Sequence, residues 1–325
     1  MKSRFHWICI IFVLSMVQKQ PLAADNRQQA DGVLTGFNSK WSYIPRPDNP
    51  NYDTFINHVK SLKPKALRYP GGTITHRWDW KKGILNQGKK GTETNPIEHL
   101  TELVTRTHSE VIFVLDIVHQ SLDDQIHMLK ASNIPIKYIE LGNEIYSGKY
   151  EKEIPTGKDY ADRVNRWTPE IRKHFPDAKL SVSLLGRSPR GDRLEKWNKL
   201  VTDNIADIDA YTYHIYVKNE ITVAERIKDY EQNRILKGGI EIWITEYGIK
   251  NEKSLTPEEQ QNHMRRLDQL RRYVEGNSRI ALCHILITND FSPKSNNFSA
   301  IKYGGKSLNP VGGYFKEIAA RRLEE

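Results

Sequence analysis

Cysteine is scarce in this chain: 325 residues contain two. Cys9 lies in an apolar stretch near the N-terminus, which leaves Cys283 without an intrachain partner and excludes a disulfide framework. Cys283 itself sits in the apolar run from Ile280 to Ile285, where a thiol is a small core hydrophobe rather than a nucleophile. Beyond the first two dozen residues no apolar run approaches the roughly 20 residues that cross a bilayer. The chain also lacks a glycine-rich dinucleotide fingerprint, a phosphate loop, an internal repeat, a low-complexity tract and a proline-rich linker. Those absences argue against nucleotide-cofactor folds and against a second module. With 38% hydrophobic and 27% charged residues, the composition excludes disordered and fibrous classes.

The N-terminus has the layout of a secretory signal peptide: Lys2 and Arg4, an apolar run from Trp7 through Val17, then the small residues Ala23 and Ala24. The expectation is a leader over residues 1–24, a mature chain over 25–325, and export to the periplasm, cell surface or medium without a membrane span. Formal net charge is +9; Lys2, Arg4 and Lys19 would leave with the leader, giving +6. A basic exported protein points toward an anionic partner such as a uronic or sulfated polysaccharide. Lys and Arg are scattered, as along Met264–Arg272, rather than gathered with aromatics into a stripe, so no nucleic-acid partner is expected.

Apolar, β-branched runs alternate with amphipathic segments, the pattern of repeated βα units. Eight strands are predicted, over 32–38, 66–70, 111–118, 138–144, 179–185, 210–217, 241–247 and 279–288. Helix starts are marked at Asn95-Pro96 and at Thr256-Pro257-Glu258-Glu259, with proline in the first turn and acids at the positive end of the helix dipole. Eight such units in about 300 residues fit the size of an α/β, (β/α)8 TIM barrel forming a single domain. The excursion from Gly71 to Asn95 is the longest loop.

In such a barrel the C-terminal ends of the strands hold the active site. Two predicted strands end in glutamate: Tyr138–Glu144 and Glu241–Glu246. Cleaving a glycosidic bond requires one carboxyl to protonate the leaving oxygen and a second to attack the sugar or activate water, so Glu144 and Glu246 are the candidate pair. Period-two alternation makes Glu140 a rival inward carboxylate about 13 Å deeper, read as part of an ion pair at the barrel bottom. His214 and Tyr216 share one face of the sixth strand. Trp78 and Trp80, after the second strand, offer flat faces for sugar rings. Asp116 and His119 close the third strand and Asn289 and Asp290 the eighth, as candidate rim residues.

The sequence resembles clan A of the glycoside hydrolases, retaining enzymes whose acid/base follows an asparagine at the end of strand four and whose nucleophile ends strand seven. Gly142-Asn143-Glu144 and Thr245-Glu246-Tyr247-Gly248 match those two motifs. Leu67-Arg68-Tyr69-Pro70-Gly71-Gly72 resembles the Arg-x-Pro-Gly-Gly segment of α-L-arabinofuranosidases and is similar to segments of β-xylosidases and heparanase-type glucuronidases. The resemblance implies that Glu144 is acid/base, Glu246 nucleophile, Asn143 its motif partner and Arg68 the brace of the nucleophile, with His214 or Tyr216 in contact with it. A guanidinium beside Glu246 would keep it ionised, while burial or the neighbouring carboxylate is expected to raise Glu144. The sequence departs from many clan members at strand eight, where 284–288 carries no tryptophan, and it holds no segment for the β-sandwich that accompanies arabinofuranosidase and heparanase-type barrels.

The function expected is therefore double-displacement hydrolysis of a polysaccharide or oligosaccharide, with no cofactor. The alternative is a non-catalytic carbohydrate-binding pseudoenzyme on the same barrel, disfavoured by both glutamates occurring with Asn143 and Arg68. A metal-dependent hydrolase would call for a ligand pair such as His-x-His on strand one, where only Phe37 and Asn38 stand.

Overall fold

The computed structural model describes residues 32–85, 92–93, 95–218 and 220–322. The leader expected over 1–24 lies outside the described residues. Eight strands form a closed barrel: β1 (Leu34–Asn38), β2 (Ala66–Tyr69), β3 (Glu110–Val114), β4 (Tyr138–Glu140), β5 (Lys179–Ser183), β6 (Ala210–Val217), β7 (Glu241–Ile249) and β8 (Ile280–His284). Every neighbouring pair is parallel, and β1 closes the ring by pairing with both β2 and β8. Helices follow the strands, among them Tyr52–Leu62, Glu98–Thr107, Gly157–His174 and Pro257–Gly276. The chain is a (β/α)8 TIM barrel. Among the described residues no helix is long and apolar enough to cross a membrane.

Local chemistry explains most element limits. Pro257 opens its helix behind a capping box in which Thr256 and Glu259 satisfy each other's backbone N–H. The helix predicted to open at Asn95-Pro96 begins at Glu98, because Ile97 serves as its cap. Inside the barrel Ala66, Ile112, Ala210, Trp243, Ile280 and Leu282 form a buried apolar cluster contributed by the neighbours β2 and β3 and, across the interior, by β6, β7 and β8. Cys283 is buried on the outward face of β8, as a core residue.

Three predicted strands run four residues too long at their C-terminal ends. The third stops at Val114 because Asp116 Oδ1 accepts from the N–H groups of Val118 and His119, folding the chain into a turn. The fourth stops at Glu140, since Gly142 has φ +98° and Glu144 φ +47°, neither compatible with a strand. The eighth stops at His284, and β7 runs on to Ile249. The 71–95 excursion carries a 3-10 turn, Gly72–Arg77, and a small antiparallel sheet built from Trp78–Asp79, Ile84–Leu85 and Thr92–Glu93.

Candidate active site

At the C-terminal mouth of the barrel lies a cavity of about 350 Å³, with Glu144, Glu246, His214 and Tyr216 in its wall. Glu246 comes from β7 through a register shift. Ile244 pairs with Tyr213 and Glu246 with His214, so Thr245 is an extra residue, a bulge. Trp243 already points inward, and unbroken alternation would turn Glu246 outward toward the helices; the bulge turns it back in.

Arg68, on β2 and fully buried, joins the charges. Its Nη1 donates to Glu246 Oε1 at 2.6 Å, its Nε and Nη2 form a fork on Glu140 at 3.0 and 2.6 Å, and Nη2 also reaches Asn143 Oδ1 at 3.0 Å. Glu140 is thus not part of a barrel-bottom ion pair, as alternation suggested. It lies across the Arg68 guanidinium from Glu246, so two carboxylates share one buried cation. Burial would strip the charge from Arg68, but Glu140 and Glu246 outweigh it and raise its pKa.

The remaining partners of Glu246 fix both of its oxygens. Asn38 Nδ2 donates to Oε1 at 3.1 Å, and the Tyr216 hydroxyl donates to Oε2. Burial opposes ionisation, yet His214, His284 and Arg68 together with the Tyr216 hydroxyl hold the Glu246 carboxyl well below the usual carboxylate range. Arg68, charged at every working pH, is the permanent part of that field. Gly71 and Gly72 let the β2 loop close over this spot. A Cβ on Gly71 would stand 2.3 Å from Asn38 Oδ1, and one on Gly72 3.4 Å from Glu246 Oε1, with both residues at positive φ.

Glu144 is set differently. Its left-handed backbone is rare for a non-glycine residue and directs the side chain into the cavity, where 33% of it stays exposed. Oε1 accepts from His214 Nδ1 at 2.9 Å and from the Tyr146 hydroxyl at 3.1 Å. The same His214 Nδ1 lies 3.6 Å from Glu246 Oε2. The nearest oxygens of the two glutamates are therefore no more than about 6.5 Å apart, the sum of those two distances. His214 resists burial because Glu246 and Glu144 raise its pKa. In turn, although burial and Glu246 act to raise Glu144, His214 and Tyr146 lower it. This corrects the expectation of a raised Glu144.

Asn143 holds Arg68 beneath the cavity, while its backbone is fixed by His76, whose Nε2 lies 3.1 Å from the Asn143 N–H. His76 Nδ1 is 2.8 Å from Asp116 Oδ1. Asp116, expected at substrate, is instead buried as a brace for His76 and the 116–119 turn. Donor atoms of His76, Asp116 and His119 gather within 4.8 Å, the spacing of a metal site. Both His76 nitrogens already face hydrogen-bond partners, Asp116 and the Asn143 peptide, and the chemistry of the group is that of a brace.

Trp78 and Trp80 also do not line the cavity. Trp78 is buried, donating to the Tyr69 hydroxyl, and Trp80 donates to Asp124, so these indoles fasten the 71–95 loop to the barrel. Cavity residues that escaped the sequence reading as site residues include Lys40, Lys250 and His284. His284 stands at the end of β8, with Nδ1 3.0 Å from Asn38 Nδ2, and burial pushes its pKa well down. Position offered a signal for each, since all three directly follow or end a barrel strand.

Residues 164–315 match the family described as the glycosyl hydrolase catalytic core. Alpha-L-arabinofuranosidase C of Emericella nidulans is 25% identical over 200 residues, and a probable alpha-L-arabinofuranosidase C of Aspergillus fumigatus is 22% identical over 198. Each match takes in 50% of this chain and only 39% of the relative, so the chain spans well under half the length of those proteins. In fold, the barrel is similar to an alpha-L-arabinofuranosidase of Thermotoga maritima solved with arabinose: TM-score 0.63, 18% identity, covering 88% of this chain and 69% of that one. A family 39 glycoside hydrolase of Bacteroides cellulosilyticus WH2 superposes with TM-score 0.54 at 14% identity, over 89% and 64%.

Proposed function

We propose that this chain is a retaining glycosidase of the export pathway, with Glu246 as nucleophile and Glu144 as general acid and base. The observation that carries the reading is the pair itself: two carboxylates on one cavity, bridged by a single imidazole, with nearest oxygens no more than about 6.5 Å apart. That bound reaches only the lower edge of the spacing an inverting enzyme needs to seat a water, and accommodates the shorter spacing of retaining enzymes.

The chemistry follows from the proton inventory. Glu246 enters as carboxylate, held by Arg68, Asn38 and Tyr216. The proton for the leaving group waits on His214 and crosses to Glu144 Oε1 along their 2.9 Å contact. Glu144 then protonates the glycosidic oxygen while Glu246 attacks the anomeric carbon, forming a glycosyl ester and releasing the alcohol. Water enters, Glu144 takes its proton as hydroxide adds to the anomeric carbon, the ester breaks, and the proton returns to the Glu144–His214 pair. Tyr146 and Tyr216, whose pKa values are pushed up by burial and by the two glutamates, remain protonated donors throughout. The basic, apolar and small-residue segments at the N-terminus support export.

Reducing-sugar release from neutral, uronic and sulfated polysaccharides tests this, comparing the wild-type chain with Glu144→Gln and Glu246→Gln. Each substitution is expected to cut turnover by at least about a hundred- to ten-thousandfold, and proton NMR of the first product should show the starting anomer. Activity that survives either change refutes the assignment.

A further inference from the structure

The cavity holds two ammonium groups that the hydrolytic chemistry does not use. Lys40 follows β1 and Lys250 follows β7; both are half-buried and both line the cavity beside Glu246. Among the described residues, neither ammonium is within ion-pair distance of a carboxylate. Lys250 Nζ lies over the rings of Tyr216, 3.9 Å from the ring centre, and Phe298. Lys40 lies 5.3 Å from the centre of the Tyr43 ring. Burial pushes both ammoniums down from their ordinary values, outweighing the pull of Glu246 on both and of Glu144 on Lys250, and each also feels the charge of another lysine.

A half-buried cation with no carboxylate at ion-pair distance is costly to keep, and two of them beside one another are costlier. Other lysines find an acid at hydrogen-bond distance, as Lys137 does in Glu110 and Lys179 in Glu241. No tryptophan is among the residues lining the cavity, so the floor on which a neutral sugar ring would pack is replaced by these cations and His284. Lys218 and Arg187 add exposed positive charge at the same mouth.

We propose that the sugar bound beside Glu246 carries an anionic group, a carboxylate or a sulfate ester, held between the ammoniums of Lys40 and Lys250. The inference rests on reading this cavity as the glycoside site and deepens it to a substrate class, acidic glycans. It also answers an electrostatic difficulty. A substrate anion entering a site that already holds two glutamates would be repelled, and the two lysines supply the compensating charge. The adjoining groove that shares Glu144 and Arg187 carries Arg190 but also Glu151 and Asp192. Its charges nearly balance, so the preference is assigned to the cavity.

The test is calorimetric binding to the full chain carrying Glu246→Gln, so that binding is read apart from turnover. The probes are oligosaccharides of hexuronic acids paired with their carboxyl-reduced forms, and sulfated galacto-oligosaccharides paired with their desulfated forms. At least one acidic probe should bind about tenfold or more tightly than its neutralised twin, with the uronate and sulfate pairs telling which anion is used. Adding Lys40→Met and Lys250→Met should weaken that probe by about ten- to a hundredfold, the size of lost charge-assisted bonds, and leave the neutral twin unchanged. The proposal is overturned if no acidic probe binds, if neutralisation does not weaken binding, or if the lysine changes weaken both twins alike. Wild-type turnover of the same probes separates the two readings: preferential binding of an acid without cleavage sinks the hydrolase assignment alone, and cleavage of neutral twins without preference sinks only this one.

Discussion

Glu144 and Glu246 are the same residue type given different surroundings. Glu246 is 5% exposed, with four hydrogen-bonding or charged neighbours committed to its ionised form, whereas Glu144 is one-third open and tied to a titratable imidazole. The working state needs Glu246 ionised and one proton on the Glu144–His214 pair. The acid limb of kcat/KM is therefore expected below the ordinary carboxylate range. The alkaline limb is expected above the ordinary histidine value of about 6.5, because Glu246 and Glu144 overcome burial and raise His214. In His214→Gln the proton has only Glu144 to sit on, and the alkaline limb should move toward carboxylic acid values as kcat falls. A pH profile whose alkaline limb stays in place would show that His214 does not hold the catalytic proton.

Element by element, the strands announce themselves and their ends do not. All eight barrel strands lie within or beside the predicted runs, because buried parallel strands are near-continuous apolar sequences. Arg68, Asn143, His214 and Tyr216 were legible through motif and alternation, and the structure brings them to the two glutamates. Alternation failed where the backbone leaves the strand. Beyond Glu140 the chain turns through Gly142, and at Thr245 a bulge resets the face, both governed by tertiary packing rather than by residue type. Trp78 and Trp80 misled because an aromatic after a strand fits a sugar platform and a loop anchor equally well. The turn after β4 is testable. At φ +98°, Gly142 has room for no side chain: a Cβ would lie 2.6 Å from Ile145 Cδ1 and 2.9 Å from Ile117 Cγ2. Gly142→Ala should cost about 1–3 kcal/mol of stability by denaturant unfolding. It should also lower kcat more than KM rises, since Asn143 and Glu144 follow directly. A variant of wild-type stability and rate would mean that the turn is not held by this contact.

Across the whole molecule, the site exists only when the barrel is closed. Asn38, Arg68, Glu140, His214, Glu246 and His284 come from β1, β2, β4, β6, β7 and β8, so the charge cluster is linked to global unfolding rather than to any local segment. Glu246 has a folded pKa below its unfolded value of about 4.3. Between those two values the unfolded chain binds the extra proton. The contribution of Glu246 is thus present above about pH 4.3 and is lost as pH falls through the folded value, by up to about 1.4 kcal/mol per pH unit. His214 has the opposite sign: its raised pKa contributes stability below about pH 6.5 that is lost as pH rises through the folded value. Other acids also titrate in the acid range, among them Asp268, where burial is outweighed by Tyr314, Arg271 and Arg272 and the pKa falls to about 2. Comparison with Glu246→Gln cancels them. The unfolding free energy of wild type minus that of the variant, measured from pH 5 to pH 3, should fall steadily as pH drops. A difference independent of pH would mean that Glu246 titrates alike in the folded and unfolded chains, and that Arg68 is not holding it ionised.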